Sequence, residues 1–358
     1  QNSTLNAGDV VTATVSFNEA VTVTGTPQLD LNIGSTTVQA NYTAGSGTNS
    51  LTFTYTILDG QTDANGISMA ANALNLISGT ITDLAGNIAT ITHAAVADNV
   101  GYKVDTTAPT AAPTLALATD SGTSSIDGIT NVGTVNVSGL EAGGTWEYST
   151  NSGTTWAAGT SSSFTLGAGT YAAGVVQVRQ SDAAGNLSSA VGQTAATITV
   201  DTTPATVSAV AITSATGLQN STLNAGDVVT ATVSFNETVK FTGSPQLDLN
   251  IGGSIVQANC TAGTGTNSLT FTYTILAGQT DANGISMAAN ALKLNSGTIS
   301  DLSGITAAIT HAAVADNAGY LVDNIRPMVS TVEITSATGL QNSTLNAGDV
   351  VTATVSFN

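Results

Sequence analysis

The chain has 358 residues, five of them basic against 23 acidic, and a formal net charge of −18 at pH 7. Its length suits about three domains of roughly 100–150 residues rather than one small core. The charge excludes nucleic acid and anionic lipid as partners, since neither polyanion meets a basic patch, and no run approaches the ~20 apolar residues that span a bilayer.

The first eighteen residues, "QNSTLNAGDVVTATVSFN" (Gln1–Asn18), return at Gln219–Asn236 and again at Gln341–Asn358. Residues 1–105 lie on 219–323 without a gap and agree at 86 of 105 positions. This defines a repeat, A, and the chain reads as an excerpt from a longer array of such repeats. Residues 1–105 are repeat A without its opening strand, 106–204 a different repeat B, 205–326 a complete A, and 327–358 the start of a further A.

Within A, "VVTATVSF" alternates Val11, Ala13, Val15 and Phe17 with Thr12, Thr14 and Ser16. "QLDLNI" (Gln28–Ile33) and "LTFTYTI" (Leu51–Ile57) repeat the period of two. One apolar and one polar face predict half-buried antiparallel strands, and Thr, Val, Tyr and Ile favour them. "GISMAANALNLIS" (Gly66–Ser78) suits either one helical turn or an irregular strand. Repeat B has the same rhythm through Val135 and Val137, Trp146 and Tyr148, Trp156, Phe164 and Leu166, Val176 and Val178, Ile198 and Val200. Both tryptophans read as core. Gly, Asn, Asp and Ser punctuate at about ten-residue intervals, which predicts an all-β fold of tandem immunoglobulin-like β-sandwich domains in an extended array.

Several motifs resemble a known family. "DTTAP" (Asp105–Pro109), "DTTP" (Asp201–Pro204), "DAAGNLS" (Asp182–Ser188), the "SFNE" segments at Ser16 and Ser234, and the "HAAVADN" segments at His93 and His311 recur in fixed order. Together they resemble the bacterial Ig-like repeats of giant surface adhesins, the biofilm-associated and RTX-type proteins. That resemblance implies sandwiches strung between a cell-surface anchor and a distal tip, export to the extracellular surface, and calcium at the domain junctions. Two places differ: "DNIRP" (Asp323–Pro327) stands for "DTTAP", and "DLSGI" (Asp301–Ile305) for "DLAGN" (Asp83–Asn87).

No catalytic set emerges, and the chain reads as not an enzyme. Its two histidines, His93 and His311, are one position in two copies of A and read as strand ends; repeat B has none. No Cys/His spacing suits zinc, and the glycine-rich stretches lack the lysine of a phosphate loop. Cys260 stands where the sister repeat has Tyr42 and reads as a tolerated substitution. "DANG" (Asp63–Gly66, Asp281–Gly284) is either a turn or a fragment of a calcium loop without its closing Glu.

The carboxylates carry more. In an immunoglobulin sandwich, the residue after the second strand, the loop between the last two strands and the preceding linker meet at one pole. That threading gathers Asp201, Glu237 and Asp301 in the complete A, and Asp105, Glu141 and Asp182 in B. It gives Glu19 and Asp83 in the first A, and Asp323 at the third junction. Calcium takes six to eight oxygens, several usually from Asp and Glu, so these are candidate ligands; the alternative is solvated turn acids.

Two functions compete. One is the stalk of a secreted or cell-surface adhesin, stiffened by calcium and touching mainly its own neighbouring repeats. The other is a subunit of an extracellular filament, sheath or surface layer, in which copies of the chain associate through strand edges.

Overall fold

The computed structural model describes residues 4–358. All regular structure among them is β, and the fold is a tandem of immunoglobulin-like sandwiches. Two compact units are described in turn: repeat A up to residue 105 with repeat B, and the complete repeat A with the strands after it.

In the first A repeat the alternating segments become β1 (Val10–Thr24), β2 (Gln28–Ile33), β3 (Thr36–Ala44), β4 (Thr48–Thr56) and β5 (Thr80–Asp83). They lie in the order β2-β3-β4-β1-β5 in one antiparallel sheet. The sheet buries Leu29, Leu31, Leu51, Phe53 and Ile81, the apolar half of each alternation. β1 runs past the predicted "VVTATVSF". Val10–Ser16 pairs with β4 and Val21–Thr24 pairs with β5, with the register broken between Ser16 and Val21. The bulge bends one strand so that it serves two partners. Gly66–Ser78 forms no helix; Ser68 and Met69 bridge to Asn32 and Val96, the irregular alternative.

Repeat B holds β6 (Thr114–Leu117), β7 (Thr134–Ser138), β8 (Thr145–Ser149), β9 (Ser163–Thr165) and β10 (Gln177–Ser181). β6-β7-β9 make one sheet, and β8 pairs with β10 in another. Between them pack Val135, Val137, Trp146, Phe164 and Val178. Trp146 is core and donates its Nε1–H to the Ser161 carbonyl at 3.0 Å. Trp156 is not: it is half-buried, with the Arg179 guanidinium 4.2 Å over its ring. Arg179 also holds Glu147 Oε2 at 2.6–2.7 Å, which accounts for the one base of B.

The second unit repeats the plan as β11 (Val207–Thr216), β12 (Val228–Thr242), β13 (Gln246–Ile251), β14 (Ser254–Ala262), β15 (Thr266–Thr274) and β16 (Thr298–Asp301). The order is β11-β12-β15-β14-β13, with β16 also on β12. β17 (Val329–Ala337) and β18 (Val351–Phe357) form a separate two-stranded sheet.

The residues singled out for chemistry inside A make local hydrogen bonds, and both histidines lie outside the strands. His311 Nε2 accepts the Ala291 N–H at 2.8 Å, so Nδ1 carries the ring proton and donates to the Ala312 carbonyl at 2.7 Å. His93 does the same between Ala73 and Ala94. Buried Asp281 accepts three main-chain N–H bonds, from Gly252 (2.8 Å), Asn283 (3.1 Å) and Gly284 (2.9 Å), so "DANG" is a turn built around its own carboxylate. Burial pushes the Cys260 thiol up, which keeps it protonated and unreactive near neutrality.

Candidate metal centre

The β12 bulge positions the first acid. Its register breaks between Ser234 and Val239, and Glu237 lies inside the break. Val239 then pairs with Asp301, the last residue of β16, so the loop after β16 starts two residues' reach from Glu237. The lead-in to the repeat is pinned to the same place. Thr206 donates its N–H to Asn236 Oδ1 at 2.6 Å, Asn236 N–H returns to the Thr206 carbonyl at 3.0 Å, and Ala205 is fully buried. Asp201 lies four residues before Ala205. The carboxylates of Asp201, Glu237 and Asp301 each offer an oxygen within 4.8 Å of the others.

Asp301 is fully buried, while Asp201 and Glu237 are half-buried. Asp301 Oδ1 accepts from Ser303 Oγ (2.8 Å) and the Ile305 N–H (2.9 Å). Its Oδ2 is buried with no hydrogen-bond partner. A buried carboxylate oxygen left unpaired costs about 1–3 kcal/mol or more, so such an atom calls for a reason.

The reason is visible in the two sister loops. In "DLAGN", Asp83 Oδ1 accepts from the Ala85 and Asn87 N–H groups, both at 2.8 Å, and Oδ2 takes the Asn87 amide at 2.6 Å. That amide, with the main-chain donors, holds the Asp83 carboxyl below the usual carboxylate range. In "DAAGN", Asp182 is satisfied in the same way by Ala184 and Asn186. "DLSGI" puts Ile305 where the others have Asn, so the amide that would occupy Oδ2 is gone.

The remaining candidates sit as follows. Glu19 and Asp83 line one open concavity with Phe17, Val21 and Asn87. Asp182 is buried in its own loop, and Asn186 carries its contact to Asp105 through the Asp105 main-chain carbonyl at 2.8 Å. The Asp105 carboxylate instead takes the Thr107 N–H (2.9 Å), and Asp323 repeats this with Ile325 (2.8 Å). Glu141 is exposed, its main-chain N–H donating to Gln180 Oε1 at 2.7 Å. Among the described residues, the Asp201 group is the one convergence of three acidic, His or Cys side chains. The sandwich threading gathered those three acids and the Ile305 departure stood in the sequence, but not its effect, that an apolar side chain there leaves Oδ2 without an amide.

No protein-family model matches the chain, and no curated protein matches it. Among solved structures it is similar to the I-band fragment I67–I69 of titin, with a TM-score of 0.29 and 9% identity over 89% of this chain and 95% of that one. It is also similar to the three N-terminal domains of the highly immunogenic outer capsid protein (Hoc) of bacteriophage RB49, with a TM-score of 0.27 and 10% identity over 90% and 97%. At such scores the likeness carries no statement about function.

Proposed function

We propose that the chain belongs to the stalk of a secreted or cell-surface bacterial adhesin, a structural and non-catalytic role, and that calcium binds at Asp201, Glu237 and Asp301. The observation that carries the calcium reading is the buried, unpartnered Oδ2 of Asp301 inside a group of three carboxylates. The donor set fits. Oxygens bound to one calcium at about 2.4 Å can be no more than about 4.8 Å apart, and hard carboxylates are its usual ligands. The ion would place a divalent positive charge among the three carboxylates. Asp301, anchored by Ser303 and Ile305, would be the fixed ligand; Glu237 would come from the β12 bulge and Asp201 from the lead-in. Held by one ion, the lead-in would lose its freedom to bend away from the repeat. A stalk reading is further supported by the agreement of two A repeats at 86 of 105 positions, exposed positions included, as befits copies used as spacers.

Small-angle scattering in calcium and then in EDTA tests this reading. The stalk account expects the maximum dimension to shorten and its distribution to broaden in EDTA. An unchanged distance distribution would remove calcium from the mechanism.

A further inference from the structure

One loop occurs in three versions, "DLAGN" (Asp83–Asn87), "DAAGN" (Asp182–Asn186) and "DLSGI" (Asp301–Ile305). The middle version belongs to repeat B, which has a repeat A before it and another after it in the chain. Its aspartate is already satisfied. Asp182 is 5% exposed, its Oδ1 accepts the Ala184 and Asn186 N–H groups, both at 2.9 Å, and its Oδ2 accepts the Asn186 side-chain amide at 2.8 Å. The same Nδ2 lies 2.8 Å from the main-chain carbonyl of Asp105, the residue at the end of the preceding repeat A. A primary amide has two N–H donors, so one serves each oxygen.

Further bonds hold the same boundary. Thr106 Oγ1 donates to the Gln61 carbonyl at 2.9 Å, which ties the linker to repeat A, and Asn6 Nδ2 donates to the Ala184 carbonyl at 3.0 Å, which ties the loop to it. A carboxylate oxygen and a main-chain carbonyl oxygen are both ordinary calcium ligands. An ion bridging Asp182 Oδ2 and the Asp105 carbonyl would have to displace the amide nitrogen that already bridges them. The other acids predicted here are placed otherwise: the Asp105 carboxylate accepts the Thr107 N–H at 2.9 Å, and Glu141 is exposed. Among the described residues, Asp105, Glu141 and Asp182 are not drawn together as Asp201, Glu237 and Asp301 are. They do not fit a calcium site.

We propose that the Asn186 amide stands in for a cation at the A–B boundary, and that the residue four places after the loop aspartate decides the kind of joint. Asparagine closes it without metal; isoleucine leaves the carboxylate to an ion. The first half stands on the hydrogen bonds alone, and the second rests on calcium at Asp201, Glu237 and Asp301. The consequence is a stalk with two kinds of joint, one indifferent to calcium and one governed by it.

Hydrogen exchange read by mass spectrometry and a calorimetric calcium titration, both on the 358-residue chain, test the two halves separately. In wild type, exchange in residues 105–110 and 182–188 should be the same in calcium and in EDTA. Asn186→Ala should speed it about tenfold or more in either buffer, as befits the loss of a hydrogen bond to a charged acceptor, and leave β7 and β10 as slow as before. Ile305→Asn should abolish the saturable calcium heat of wild type, while Ile305→Val, which brings no donor, should keep it. Exchange at 105–110 that rises in EDTA, or that Asn186→Ala leaves unchanged, would overturn the amide joint. The wild-type comparison needs no variant and decides that half even where Asn186→Ala weakens all of repeat B. A calcium heat that Ile305→Asn leaves intact would overturn the deciding role of position 305. With no calcium heat in wild type, the calcium reading and the role of position 305 fall together, and the amide joint is still decided by exchange.

Discussion

Asp281→Ala is expected to unfold the complete A repeat about 3–5 kcal/mol more easily than wild type. The carboxylate accepts the N–H groups of Gly252, Asn283 and Gly284, and each hydrogen bond to a charged acceptor contributes about 1.5–3 kcal/mol. Their loss leaves three main-chain donors around a site that is 5% exposed, and water reaches such a site poorly. The loops cannot close over the gap. Gly252 and Gly284 hold φ of +55° and +98°, and a Cβ on either would meet the Thr280 or Asn317 carbonyl at 2.0 Å. For a domain of this size the loss corresponds to roughly 10–20 °C in the melting transition of that repeat, read by calorimetry. A shift under about 2 °C would show that the turn does not depend on its aspartate.

Asp301→Asn should move stability in the opposite direction. The substituted side chain keeps an oxygen for Ser303 Oγ and the Ile305 N–H, and replaces the unpartnered Oδ2 with an amide that can donate toward the neighbouring acids. It also removes one of three like charges. Two unit charges 4.8 Å apart repel by about 3 kcal/mol at an effective dielectric of ~20, and solvent at half-exposed Asp201 and Glu237 screens much of that. In EDTA the variant should therefore melt several degrees above wild type. In calcium the order should reverse, because wild type gains by mass action, about 2.7 kcal/mol at a hundredfold excess over Kd, and the variant does not. A variant less stable than wild type in both buffers would mean that Oδ2 is paired in solution.

How far the sequence could be read depended on which interaction decides each feature. β2 lies on the predicted Gln28–Ile33, because a period of two with one apolar face has one low-energy solution. The bulge that carries Glu237 was less legible. In "SFNETV" the apolar phase is interrupted, with Glu237 standing between Phe235 and Val239, but the register break itself appears once β15 and β16 must both pair with one strand. Trp156 shows the same limit: an indole suits a core, but the Arg179 guanidinium of β10 lies over its ring. At the candidate site, turn geometry was enough to place Asp201, Glu237 and Asp301 together. The exchange of Asn87 for Ile305 was visible as a departure from the motif. Its consequence was not, because it lies in which donor reaches Oδ2 after burial.

A titration of the 358-residue chain with calcium, followed by calorimetry after exhaustive treatment with chelator, tests the central claim most directly. The account predicts a saturable heat with a binding event that Asp301→Asn removes, while Asp83→Asn, in a loop whose carboxylate is already satisfied by Asn87, leaves that event in place. No saturable heat, or a heat that Asp301→Asn leaves intact, would contradict it.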